Sequence, residues 1–579
     1  MDQQRNLFVA IGISIAILIG FQVFYERVFP PKPAPVSQTQ TAPAVSGQAA
    51  SPGQAGATAP GVQGAVQLAS RENVLAQSPR VAIATPRLKG SINLTGGRID
   101  DLTLVGYRET VAPDSPEIVL LAPDGTEHPY FLQFGWVAND PAVKMPGPDT
   151  RWSVSGGALT PDHPVDLTWD NGGGLKFTRH IAVDADYMFT VTDSVTNAAK
   201  DKVTLYPYGL VSRAGPPPAS TTYLLHEGPI GVLDGTLKEI KYADLKSEPP
   251  QEIDSAGGWL GITDKYWLSA LIPDQKEAIK ARFTHVERDQ ADLWQVDYRG
   301  SPRALDPGAS VTANSRFFAG AKLVSLLDRY EVQYQIPRFD RAIDFGWFYF
   351  LTKPIFLTLD FFYKLLGNFG LAIMLLTVII KLVFFPLANK SYRAMSKMKK
   401  LQPEMQKLRE KFGDDKEKLN KEMMALYKRV GANPMAGCLP IVVQIPVFFS
   451  LYKVLYVTIE MRQAPFYGWI HDLSVPDPTT FINLFGLLPF APPDIGFAFL
   501  HSILHIGAWP LIMGVTMFLQ QKLNPAPPDP IQAKMFMALP FVFTVMLSQF
   551  AAGLVIYWSW NNLLSIAQQW TIMRRAGAA

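Results

Sequence analysis

The chain has 579 residues, of which 48% are hydrophobic and only 18% charged, with a mean hydropathy of +0.08 and a formal net charge of +3. A soluble globular protein usually carries about 25% charged residues, so part of this chain is built for lipid. The single cysteine, Cys438, excludes an intramolecular disulfide framework and a cysteine-rich metal site.

Residues 1–29 open with a mostly apolar segment, Leu7 to Phe29, long enough to span a bilayer. No small-residue cleavage site follows it, so the segment reads as an uncleaved signal anchor. Residues 30–69 are rich in Pro, Ala, Gly and Gln, the composition of an extended tether. Residues 70–335 then alternate with period two. Apolar residues stand at Ile92, Leu94, Ile99, Leu102 and Leu104 around a Gly96-Gly97 turn signal, and again at Tyr187, Phe189 and Val191. Many short strands over this length predict a large β-sandwich. Leu323 to Gln335 predicts a short amphipathic helix closing that domain.

Residues 336–366 mix Asp340, Arg341, Asp344 and Lys353 with aromatic residues, as a helix lying in the membrane interface would. Pro354 and the break at Gly367-Asn368 separate it from a second span, 367–388. There the run Gly370 to Leu387 is apolar except at Lys381, six residues before its end. A cation at a helix centre costs about 2.5–3.5 kcal/mol on insertion scales, and less near the interface. Either a water-filled cavity between helices compensates, or the lysine snorkels towards the headgroups. Residues 438–573 hold four more spans, at about 438–459, 503–521, 535–550 and 553–573. A tail follows at 574–579.

The segment 389–437 carries thirteen Lys or Arg against six acids, whereas 460–502 carries one, Arg462. The positive-inside rule therefore places 389–437, both termini and the tail in the cytoplasm and the β-domain outside. Within 389–437, Met395, Met398, Leu401, Met405, Leu408 and Phe412 recur at helical spacing, as do Leu419, Met423, Leu426 and Val430. Gly413 and a capping box at Asp414-x-x-Glu417 separate the two, which predicts an antiparallel helical hairpin. Its methionines either pack the two helices together or also meet varied apolar chains. Its cations, Lys397, Lys399, Lys400 and Arg409 among them, are either a solvated face or a surface for ribosomal RNA or anionic lipid.

Gln444, Thr516, Ser559, Asn561 and Asn562 are polar positions within spans. Each is either an interhelical hydrogen bond or, with Lys381, part of one hydrophilic pocket. Trp558 and Trp560 read as aromatic-belt residues. His501 and His505 have metal-like i,i+4 spacing but no adjoining acid. Asn171-Gly172-Gly173-Gly174 reads as a turn, not a phosphate loop. No nucleophile-base set is placed by any motif, so no catalysis, metal or cofactor is expected. Two rival classes are a solute transporter, which internal repeats would favour and none is seen, and a periplasmic carbohydrate-binding or -modifying protein using His180, His226 and Glu227.

Several runs together carry a family resemblance: Asn389 to Glu404, Glu422 to Lys428, Asn433 to Pro440, Arg462 to Ser474, Gly553 to Trp558 and, in the outer domain, Gly257 to Trp267. The chain resembles the YidC/Oxa/Alb family of membrane protein insertases, in the Gram-negative form with a large periplasmic domain. The resemblance implies an inner-membrane protein of six spans, with a five-helix core, a periplasmic β-sandwich similar to sugar-mutarotase folds, and a cytoplasmic hairpin. It implies a groove open to the cytoplasm and lipid in which Lys381 is the working charge and Gln444 a polar lining residue; Thr516, Ser559 and Asn562 are groove candidates by their polarity within the spans. From the charge and methionine pattern, the expected hairpin contacts are Lys397, Lys399, Lys400, Met405 and Arg409. The implied partners are nascent inner-membrane proteins, the Sec translocon (SecYEG and SecDF), the ribosome and signal recognition particle pathway, and the bilayer, with no DNA. Relatives commonly carry arginine where this chain has Lys381, which keeps the charge but loses the bidentate fork.

Overall fold

Alternation of apolar and polar residues dictates strands that bury one face, and the computed structural model shows them stacked as two antiparallel sheets. It describes residues 69–215, 225–288, 291–412, 415–430, 439–488, 490, 498–524 and 530–575. The expected anchor at 1–29, almost all of the tether, Gly413, Asp414 and Asn433 to Cys438 lie outside the described residues. One sheet has ten strands, running from Arg80–Ala84 at one edge through Arg98–Arg108, Tyr130–Ala138 and Val203–Ala214 to Gln251–Ala256 at the other. The second has nine, from Thr236–Glu239 through Trp259–Thr263, Ser310–Ala321 and Met188–Asn197 to Ser153–Ser155. Ile92, Leu94, Ile99, Leu102 and Leu104 are all buried. Phe189 lies opposite Phe317 in register, their rings stacked at 4.2 Å. Gly96 and Gly97 both take positive φ. A side chain on Gly97 would strike the Trp152 indole, 2.8 Å away, and its carbonyl accepts from the buried Arg179, which also pairs with Asp193 at 2.7 Å.

Helix α1, Val324–Tyr334, closes the sandwich domain, burying Leu326, Leu327 and Tyr330 against it. Helix α2, Tyr349–Leu366, ends at Gly367 in the left-handed conformation. The next residue, Asn368, caps α3, Phe369–Val383, by accepting from the Leu371 amide at 3.1 Å. Here the structure corrects the sequence reading. The expected span through Leu387 breaks at Phe384, and α4, Phe385–Phe412, leaves at a bend of 68°. Pro386 explains it, because proline lacks the amide hydrogen and clashes with the carbonyl four residues back. Lys381 therefore sits in the last turn of α3 rather than well inside a longer helix.

Helix α4 folds back on α5, Lys416–Val430, around buried Leu401, Met405, Met423 and Leu426. Asp415, one residue beyond the expected cap, accepts from the Lys418 amide at 3.1 Å. Then follow α6, Leu439–Val457; α7, Ala498–Leu504; α8, Ala508–Leu523; α9, Pro530–Leu547; and α10, Ala552–Arg575. Helix α10 packs on α3, α4, α6 and α8. Among the described residues no single helix is long and apolar enough to cross a membrane, though the bent pair α3–α4 passes by length and composition. The expected span at 503–521 starts only at Ala508, after a break from α7.

The two halves are joined at one face. The Arg462 guanidinium donates to the carbonyls of Arg108 and Glu109 and lies over the Tyr266 and Trp267 rings. Lys265 stands 3.6 Å from the Tyr456 ring centroid, and Lys453 on α6 pairs with Asp344 at 2.7 Å. Helix α1 has no side-chain cap of its own. Glu460 supplies one, accepting from the Val324 amide at 2.9 Å.

Candidate substrate groove

Helices α3, α4 and α10 converge at the Phe384 bend, and the bend opens space between them. Lys381 Nζ donates to Ser565 Oγ at 2.6 Å, and that hydroxyl donates in turn to the Asn561 carbonyl at 2.7 Å. On one side of the ammonium lies an open cavity of about 890 Å³. Its walls come from Val378 and Leu382 on α3, Arg393, Lys397 and Lys400 on α4, and Gln568 and Arg575 on α10, among others. No acidic residue lines it among the described residues. On the other side a narrow cavity of about 30 Å³ is shared by Lys381, Tyr392, Gln444 and Gln568. That space is large enough for one water molecule. Gln444 Nε2 donates to the Tyr557 hydroxyl.

The structure thus brings Lys381 and Gln444 to one place and separates the other groove candidates from them. Asn562 Nδ2 donates to Thr516 Oγ1 at 3.2 Å, and Thr516 donates to the Met513 carbonyl at 2.8 Å, joining α10 to α8. Ser559 donates to the Val555 carbonyl of its own helix at 2.9 Å. Thr516, Ser559 and Asn562 line neither cavity. Among the hairpin candidates, Lys397 and Lys400 line the same cavity as Lys381. Met405 is buried between α4 and α5 against Tyr427, so it is spent on packing. Lys399 and Arg409 are half-buried and lie outside the cavity. Trp558 packs edge-on against Phe448 at 4.7 Å, and the Trp560 indole donates to the Met374 carbonyl, so both join neighbouring helices.

Gln568, Arg393 and Arg575, which line the larger cavity, and Ser565, which partners Lys381, were not among the site candidates of the sequence reading. Ser565 was within reach of it, because Ser559, Asn562, Ser565 and Gln569 recur every three or four residues on α10 and all are buried. Arg393 and Arg575 meet only through the fold of α4 over α10. The carbohydrate-site candidates are occupied locally. His180 Nδ1 lies 2.7 Å from Asp166, His226 Nε2 is 3.0 Å from the Pro229 carbonyl, and Glu227 accepts from the Lys265 amide at 2.8 Å. His501 and His505 stack ring on ring at 4.0 Å.

Comparison with known proteins places both halves. Residues 80–358 match the family described as the YidC periplasmic domain, and residues 361–578 the 60Kd inner membrane protein family. A relative from Methylobacterium nodulans named membrane protein insertase YidC is 52% identical over 588 residues, covering 100% of this chain and 96% of that one. Another of the same name from Rhizobium meliloti is 52% identical over 589 residues, with the same coverage. A crystal structure of an active YidC insertase with its first transmembrane domain resolved aligns at 16% identity and a TM-score of 0.36, over 84% of this chain and 91% of that one.

Proposed function

We propose a working arrangement for this chain, which belongs to the YidC family of membrane protein insertases and is an inner-membrane protein with a periplasmic β-sandwich domain and a C-terminal helical region. It inserts membrane proteins and is not an enzyme; neither solute transport nor carbohydrate chemistry is favoured. In the proposed topology the chain crosses the membrane six times, with both termini and the α4–α5 hairpin in the cytoplasm. The length of one helix and the course of another support this. Helix α6 runs from the hairpin end to the β-domain end of the core over 19 residues, or about 28 Å at 1.5 Å per residue, close to the ~30 Å of a bilayer's hydrocarbon. Helix α10 returns from the β-domain end, where the Ala552 amide donates to the Val475 carbonyl, to the cavity end at Arg575.

The polar flank of a nascent membrane protein enters the groove from the hairpin side and meets Lys381. Its apolar segment then moves sideways into lipid. The observation that carries this is Lys381 itself, a cation partnered by a hydroxyl and opening on a cavity with no acid in its lining. A charge shielded from bulk water attracts an opposite charge more strongly than a surface lysine would. Gln444 and the water-sized cavity beside it offer a polar path deeper into the core. The basic hairpin meets the ribosome and signal recognition particle pathway, and the Sec translocon assists larger substrates.

Insertion of one acidic-tailed and one neutral-tailed substrate into vesicles tests the groove. Lys381→Arg retains insertion, because the charge is kept. Lys381→Glu impairs the acidic-tailed substrate most, since attraction becomes repulsion, and Lys381→Met falls between. Equal activity across the series at equal protein levels would make Lys381 an anchor and not the working charge.

A further inference from the structure

The larger cavity beside Lys381 holds more positive charge than one lysine explains. Lys381, Arg393, Lys397, Lys400 and Arg575 all line it, and no carboxylate does among the described residues. Arg393 and Arg575 face one open space together with Lys381 and Lys397, and an anion bound there is attracted by all four. Neutral donors add to the demand for an acceptor. Gln568, in the cavity wall, has a buried Nε2 without a hydrogen-bond partner. The rest of the lining is of a different kind. Leu382 and Phe385 stand at its wall 65% and 44% exposed, beside an apolar surface continued by Val383.

A compact anion joined to apolar chains matches that division. We infer that, between substrates, the headgroup phosphate of an anionic phospholipid occupies this cavity, held by Arg393 and Arg575 with its chains along Leu382 and Phe385. The inference rests on the topology and groove proposed above, which set the cavity at the cytoplasmic edge of the bilayer. Arginine pairs with phosphate through two parallel hydrogen bonds, whereas lysine acts as a point charge. Basic pockets between membrane helices on the cytoplasmic side take anionic headgroups for the same reason. At about 890 Å³ the space admits a headgroup and the first carbons of its chains. An acidic substrate flank then enters by exchange of one anion for another.

The full chain, reconstituted in nanodiscs of phosphatidylcholine containing a minor fraction of phosphatidylglycerol, is stripped gently and its retained lipid identified by native mass spectrometry. Retention of phosphatidylglycerol over phosphatidylcholine is expected. It should fall by about tenfold or more in Arg393→Gln/Arg575→Gln, as loss of charge-assisted hydrogen bonds implies. Arg393→Lys/Arg575→Lys should recover part of it, and Lys421→Gln/Lys428→Gln, on the far helix of the hairpin, should leave it unchanged. Equal retention of the two lipids, or an Arg-to-Gln variant that retains phosphatidylglycerol fully, would overturn the inference. So would displacement by inorganic phosphate alone at low concentration, since that would leave the apolar wall without a part. A soluble acidic-tail peptide separates this inference from the groove. Displacement of the lipid by the peptide in wild type supports both; preferential lipid retention with no displacement supports the lipid site and counts against substrate entry at this cavity.

Discussion

Glu460 shows how one side chain can tie the two halves of this protein together at an energetic cost. Its Oε1 caps α1 from a segment 136 positions along the chain, while its Oε2 is buried without a partner. Burial, reinforced by nearby Asp360, pushes its carboxyl from an ordinary 4.5 up to about 7, against smaller opposing effects from the Val324 amide and Lys364. The folded state therefore holds a proton that the unfolded chain has released between those values. Stability from this group is complete below about 4.5, falls as pH rises towards 7, and stays low above it. At 1.36 kcal/mol per unit the full loss is on the order of 3 kcal/mol. Glu460→Gln keeps the acceptor for Val324 and carries no charge. Thermal unfolding in detergent should show the variant more stable than wild type at pH 8, with the gain shrinking towards pH 5. Parallel pH profiles would mean that the carboxylate is not held as a buried charge. At this scale the sequence was partly legible. Lys381 stood out because hydropathy and charge conflict at one position, and Glu460 did not, because its burial arises from residues of the other domain.

Between elements, the segment Arg462 to Ser474 acts as a clasp. Asn368 Nδ2 donates to the Pro465 carbonyl at 3.3 Å, and Phe466 packs on the first turn of α3. A methyl group on Gly370 would lie 2.0 Å from the Phe466 ring. Gly370→Ala should gain up to about 1 kcal/mol of helix propensity but lose about 1–3 kcal/mol to overpacking. A net fall in unfolding midpoint is expected, and Phe466→Leu should relieve it in the double variant. Additive effects of the two changes would show that they do not share a contact. Element types were readable from period: two for the strands at 92–104, three to four for the hairpin. The break at Phe384 was not, because a hydropathy window averages over Pro386 and sees one apolar run. The place of Lys397 and Lys400 beside Lys381 was hidden for a related reason, since it follows from the direction α4 takes after that break.

At the scale of the whole molecule, the core has two distinct ends. One carries Arg462 on the Arg108 and Glu109 carbonyls and Lys453 paired with Asp344, so the β-sandwich is docked on it rather than merely tethered. The other carries the cavity cations and the hairpin. The topology proposed above sets the hairpin on the cytoplasmic side, opposite the periplasmic sandwich, and the thirteen cations of 389–437 against one in 460–502 support that reading. Protease added to the outer face of spheroplasts should therefore cut the Pro/Ala/Gly-rich segment 30–66 and spare 389–437, although the hairpin offers many Lys and Arg sites. Lysis should expose the hairpin to the same protease. Arg462→Ala/Trp267→Ala should leave that pattern intact while raising hydrogen exchange across 458–475, because docking and topology have separate causes. Cleavage within the hairpin before lysis would overturn the orientation, and unchanged exchange in the double variant would show that the Arg462 clasp does not hold the sandwich to the core.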